Sequence, residues 1–123
     1  MKKIVFNIAN EFTEMPLLPY KDDGDFSAEE LLEKHLIPLY NKAKAEGKIL
    51  IIELDGAIGY SPTFLRVAFE GLAEQGDDVT DIVKIVSDFM DINEKDISYN
   101  RVYDLVENNL NNINRLLNAF RNN

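Results

Sequence analysis

The sequence predicts an α/β domain, a small mixed sheet packed by helices, and three observations carry that reading. Ile49, Leu50, Ile51, Ile52 and Leu54 form an aliphatic run without polar alternation, as expected of a central strand covered on both faces. The run breaks at Asp55-Gly56 and Gly59 and restarts as a helix at Ser61-Pro62, giving a strand, a glycine-bearing turn and a helix in direct succession. Two further strand-like stretches, at residues 2–8 and 82–87, are separated from it by helical periodicity. A chain of 123 residues, 46% hydrophobic, accommodates this as one domain spanning residues 1–123.

The first strand alternates, with Ile4, Phe6 and Ile8 on one face and Val5 with Asn7 on the other. It is expected at an edge or in second position. Residues 10–26 carry Pro16, Pro19 and Gly24, all helix breakers, and read as a covering loop. Ser27 then opens a helix with a full start signal: an N-cap serine, Glu30 placed for a capping box, and Phe26 facing Leu31 as a hydrophobic staple. Leu32, Leu36, Leu39, Tyr40 and Ala43 recur as its buried stripe, Pro38 is expected to kink it, and Gly47 supplies a left-handed stop. Glu29, Glu30 and Glu33 lie early and Lys42, Lys44 and Lys48 late, which suits the helix dipole.

The second helix has Ser61 as N-cap and Pro62 at its first position, where the missing amide proton costs nothing. Its stripe is Phe64 or Leu65, Ala68, Phe69 and Leu72, with Gly71 expected at a close approach and Gly76 at a stop. Residues 77–81 are polar, and 82–87 read as a third strand, a helical reading staying open for so short a run. At the C-terminus Tyr103, Val106, Leu110, Ile113, Leu117 and Phe120 recur at spacings of 3, 4, 3, 4 and 3, a heptad seam on a long helix. That seam has two readings, packing on the domain's own sheet or pairing with another chain as a homodimer. The intervening asparagines are poor helix formers, so the seam's packing must hold the helix.

Composition removes several function classes. With no cysteine there is no disulfide, thiolate ligand or cysteine nucleophile. Residues 1–8 are too short and too interrupted for a leader or a membrane span, so a cytoplasmic protein without membrane insertion is expected. A net charge of −9 opposes direct nucleic-acid binding, which needs clustered Lys and Arg, and suits a basic partner surface. His35 is the only histidine and has no second histidine or cysteine to complete a metal set or a triad. Glu53, Asp55, Asp77, Asp78, Asp81, Asp88 and Asp91 fall near predicted strand ends, where two could hold Mg²⁺. With 22 acidic residues such proximity is expected from composition, so no metal and no cofactor is assigned. Residues 22–25 lack the spaced ligand series of a calcium loop, and Gly56 with Gly59 fit neither phosphate-cradling glycine pattern. No catalytic set emerges.

What remains is the strand–turn–helix edge, where unpaired amides collect in α/β folds. Ser61 and Thr63 stand there. Ser61 reads as a structural cap, and both read as phosphoacceptors, because a dianion at a helix start is locally tolerated yet changes the surface charge.

The residues carrying this edge also carry a resemblance. Leu54-Asp55-Gly56-Ala57-Ile58-Gly59-Tyr60-Ser61-Pro62-Thr63-Phe64-Leu65, continuing to Ala68-Phe69-Glu70-Gly71-Leu72, resembles the signature of the STAS-like family DUF4325, in which an LDG strand end leads to GYxxSFLxxAFGGL. Tyr20-Lys21-Asp22-Asp23-Gly24-Asp25-Phe26-Ser27-Ala28-Glu29 resembles its upstream block, an acidic-Gly then Ser-Gly-Glu run, and Ile85-Val86-Ser87-Asp88 its third strand. Pro62 and Thr63 replace frequent serines, Ala28 and Glu70 replace glycines, and Pro19 stands near a frequent arginine. The resemblance implies a STAS-like fold related to anti-sigma-factor antagonists. In those relatives a Ser or Thr at the start of the corresponding helix is phosphorylated by a GHKL-type kinase, whose binding is thereby switched off.

Three roles follow as expectations. The first is a non-enzymatic regulatory module docking a GHKL-type ATPase through the helix at Ser61, with Asp55, Gly56, Gly59, Tyr60, Ser61, Thr63, Phe64, Tyr20, Asp23 and Gly24 as contact residues. The second is a small-ligand or nucleotide and anion binder, with residues 16–26 closing over the amides of residues 61–64. The third is an acidic inhibitor of a nucleic-acid-binding partner.

Overall fold

Three parallel strands in the order β1-β2-β3 form the sheet of the computed structural model, which describes residues 2–86. They are β1 (Lys3–Asn7), β2 (Ile49–Glu53) and β3 (Val83–Val86), with β2 central. Among the described residues no antiparallel strand joins them, so this part of the expected mixed sheet is parallel. The long helix expected over residues 98–120, and its seam, lie outside the described residues.

Parallel neighbours require crossovers, and both are helical. After β1 the chain makes a short turn of helix, α1 (Ile8–Glu11), crosses as an extended segment with a 3₁₀ turn at Lys21–Asp23, and enters the first rod. That rod joins α2 (Ala28–Leu31), a π-helical turn (Leu32–Leu36) and α3 (Ile37–Glu46). The second rod joins α4 (Pro62–Leu65), a π turn (Arg66–Glu70) and α5 (Gly71–Ala73), and α6 (Val79–Ile82) leads into β3. Two crossovers that advance in one direction with one hand must cover the same face of the sheet. On that face the register stacks Ile4, Leu50 and Val83 in one row and Phe6, Ile52 and Ile85 in the next. All but Ile4 are buried, against Ala28, Leu31, Leu36, Tyr40 and Ala43 of the first rod and Phe64, Leu65, Ala68, Phe69 and Leu72 of the second. Each large aliphatic side chain so placed contributes about 1.5–3 kcal/mol.

The opposite face differs from expectation. Ile49, Ile51 and Glu53 of β2 are half-buried and Val5 of β1 is exposed, so burial alternates along a strand whose sequence does not. The aliphatic run reported the identity of the side chains on both faces, not their cover.

Ser27 accepts the Glu30 amide at 3.1 Å as the expected N-cap, while the Glu30 carboxylate turns to Lys34 Nζ at 3.4 Å. Phe26 is exposed at φ 61° with its ring against Phe12, where a staple to Leu31 was expected. The π turn ends just before Pro38, whose ring would collide with the carbonyl four residues back in an α-helix. Widening the turn removes that clash and moves the stripe. Leu31 and Leu36, five apart, are buried, while Leu32 and Leu39 are only partly so. Gly47 ends the rod in the left-handed conformation, as expected.

Gly71 lies where the rods touch: a Cβ there would stand 2.3 Å from Leu32 Cδ2. Gly76 follows the end of the second rod, as expected, without a left-handed conformation. A Cβ on it would stand 2.9 Å from Asp78 Oδ1 and 3.1 Å from Tyr40 Oη, crowding the hydrogen bond that Tyr40 donates to Asp78. Lys44 completes that cluster at 2.9 Å from Asp78.

Candidate functional site

The central strand delivers the chain to the edge above its C-terminal end. Leu54, still buried, donates its amide to Val86 O at 3.1 Å, and the chain then leaves the sheet at Asp55-Gly56. Gly56 has φ 97°, and a Cβ on it would lie 3.2 Å from Ala9 Cβ, so conformation and space both call for glycine. Asn7, closing β1, donates Nδ2 to Asp55 O at 3.1 Å and accepts the Asn10 amide at 2.9 Å. One side chain thus caps α1 and pins the turn. Tyr60 donates its hydroxyl to Leu54 O at 2.8 Å and sets its ring edge-on to Phe64. Burial, and secondarily the charge of Asp55, pushes the Tyr60 phenol well above its ordinary value.

The helix follows as expected from Ser61-Pro62. Ser61 Oγ accepts the Phe64 amide at 3.1 Å and donates to Leu17 O at 2.7 Å, with Thr63 Oγ1 at 3.3 Å. Its hydroxyl is committed in both directions. Thr63, one turn position along the helix start, is exposed.

Residues 14–20, read from sequence as a covering loop, act as a strap between the two helix starts. Carbonyls of four consecutive residues serve it: Pro16 O takes the Ser61 amide at 3.1 Å, Leu17 O its hydroxyl, Leu18 O the Ala28 amide at 2.9 Å and Pro19 O the Glu29 amide at 3.1 Å. Glu14 O adds the Ile58 amide at 2.8 Å. Helix N-termini leave amides without intrahelical partners, and here main-chain carbonyls take those of Ala28 and Glu29 together with the Ser61 amide. The one signal in the sequence is the Pro-Leu-Leu-Pro run itself, since proline holds extended backbone and offers only an acceptor.

The expected contact residues therefore divide. Thr63, Gly56, Tyr20, Asp23 and Gly24 are exposed, and Asp55, Gly59, Tyr60 and Ser61 are half-buried. Phe64 is fully buried, which makes it a packing residue and corrects its assignment as a contact. Tyr20, Asp23 and Gly24 sit at the far end of the strap, where Asp23 accepts the Tyr20 amide at 3.1 Å and Gly24 has φ 143°. His35 lies half-buried between the rings of Phe6 and Phe12. Among the described residues no three His, Asp or Glu side chains converge as a metal set, and no helix is long and apolar enough to cross a membrane.

A three-stranded parallel sheet with both helical rods on one face, and a capped helix start beside the end of the central strand, is the architecture of a small STAS-like α/β domain. A family model described as a STAS-like domain of unknown function, DUF4325, matches residues 27–94, more than half of the chain, and the chain belongs to that family. No curated protein and no solved structure matches it.

Proposed function

We propose that this domain is a non-enzymatic regulatory module that docks a GHKL-type ATPase through the helix beginning at Ser61, with Thr63 as the residue switched by phosphorylation. The observation that carries the reading is the contrast between two adjacent hydroxyls. Ser61 Oγ holds Phe64 N and Leu17 O, so a phosphate on it would break the cap and set a dianion against a carbonyl. Thr63 is exposed on the first turn, where added negative charge meets the positive end of the helix and, among the described residues, disturbs only the 3.3 Å contact with Ser61 Oγ. The Ser61 and Phe64 amides, needed by an anion cradle, are already taken by Pro16 O and Ser61 Oγ, and Pro62 has none. That favours a protein partner over a nucleotide.

The test is co-purification of the tagged domain with a candidate GHKL-type ATPase. Thr63→Glu is expected to weaken capture at least tenfold with the melting temperature unchanged, and Thr63→Ala to leave it intact. Equal capture of Thr63→Glu and wild type rejects the switch, and no capture of wild type rejects the partner.

A further inference from the structure

Large exposed apolar side chains gather on the strap and the turn it grips: Met15, Leu17, Leu18, Tyr20 and Ile58, with Ile58 69% and Met15 56% exposed. Hydrogen bonds from Ile58 N to Glu14 O and from Ser61 to Pro16 O and Leu17 O bring Met15, Leu17 and Ile58 together beside Thr63. Single exposed apolar residues are ordinary, but neighbours fixed on rigid backbone form a patch.

Among the described residues, the chain segments that carry this patch are mainly acidic. Residues 9–26 carry Glu11, Glu14, Asp22, Asp23 and Asp25 against Lys21 alone, and residues 54–66 carry Asp55 and Arg66. Lys21 is engaged by Glu33 at 2.8 Å. An apolar centre with an acidic border is complementary to an apolar cleft bordered by lysine and arginine, and it disfavours a second copy of itself, which would bring like charges together.

We propose that Met15, Leu17 and Ile58, on segments where Glu14, Asp22, Asp23, Asp25 and Asp55 outnumber Lys21 and Arg66, form a docking ridge for a basic-rimmed apolar cleft on another protein. This rests on the docking reading above and assigns the contact to the strap and turn, with Thr63 at the edge of the apolar centre. A phosphate on Thr63 would then face desolvation inside the contact, which accounts for release.

The test uses a defined probe, the amphipathic leucine-lysine peptide LKKLLKLLKKLLKL, titrated into the isotopically labelled full chain. Amide shifts are expected to concentrate in residues 14–20 and 55–63. Affinity is expected to fall about tenfold between about 50 mM and about 500 mM NaCl, as the charged border is screened. Ile58→Ser and Leu17→Ser, which leave the buried core untouched, should each weaken binding at least fivefold at unchanged melting temperature. The same peptide with glutamate for lysine should not bind. Shifts spread over the whole acidic surface, or equal affinity for Ile58→Ser, would reduce the interaction to bulk charge and overturn the ridge. Concentration-dependent dimerisation that Ile58→Ser abolishes would overturn it in favour of a second copy. Ridge binding without ATPase capture removes that partner and retains the surface; ATPase capture unaffected by Ile58→Ser removes the surface and retains the partner.

Discussion

Gly71→Ala should change the sign of its effect according to what stands at position 32. In an otherwise native chain the new methyl would lie 2.3 Å from Leu32 Cδ2, 3.4 Å from Cγ and 3.5 Å from Cδ1, against an ordinary carbon contact of about 3.5–4.0 Å. Leu32 is half-buried and starts the π turn of the first rod, so relief requires an off-rotamer side chain or a shift between rods. Overpacking of this kind costs about 1–3 kcal/mol, and replacing glycine by alanine inside a helix returns about 1 kcal/mol. The net expectation is a loss of about 0–2 kcal/mol. In a Leu32→Ala background all three nearest obstructing atoms are gone, and the helix preference stands alone, so Gly71→Ala should stabilise by up to about 1 kcal/mol. Urea unfolding of the four proteins, followed by far-UV circular dichroism, gives the cycle directly, with an expected coupling of about 1–3 kcal/mol. Equal effects of Gly71→Ala in both backgrounds would refute the idea that this glycine is required by the contact between rods.

Loss of either cap should be measurable and different in character. Ser27→Ala removes one bond, to the Glu30 amide, and should cost about 1 kcal/mol in urea unfolding; Ser61→Ala also releases Leu17 O and should cost about 1–2 kcal/mol while speeding hydrogen exchange in residues 14–20. Asp78 is held below the usual carboxylate range, first by the Tyr40 hydrogen bond and then by that of Lys44. A depressed value stabilises the fold above the unfolded pKa of about 4 and loses that contribution as pH falls through the folded one, so the deficit of Asp78→Asn at pH 7 should shrink below about pH 4. Tyr60→Phe should cost about 1 kcal/mol by leaving Leu54 O without its phenol donor, and the wild-type phenol should resist ionisation, by ultraviolet titration, above about pH 10.

What the sequence made legible was what local chemistry determines. Ser27 and Ser61 cap as their spacing to residues 30 and 64 required, and Gly47 stops a helix as its place after Lys44 required. The spacing alone does not choose between Phe64 and Leu65 for the second stripe, and both are buried, because that rod is gripped by sheet and neighbouring rod together. The first stripe was misplaced at Leu32 and Leu39 because a π turn inserts a five-residue step that a fixed 3.6-residue period cannot represent. Pro38 is legible as a disturbance, but the π turn it produces is not. Local signals fix where an element starts and stops; its phase is negotiated with whatever it packs against.

The strap was illegible for a related reason, and the site depends on it. Its ordering comes from carbonyls of residues 14 and 16–19 meeting donors at residues 58 and 61 in one direction and 28 and 29 in the other. None of these pairings has a period, and each exists only once both helix starts have been brought to the same end of the sheet by the crossovers. The folded strap occupies the amides of Ala28, Glu29 and Ser61, and exposes Met15 and Leu17 beside Ile58. A stretch that looked like cover over a possible anion site thus converts that edge into an apolar, acid-bordered surface, and the hydroxyl left outside it is that of Thr63.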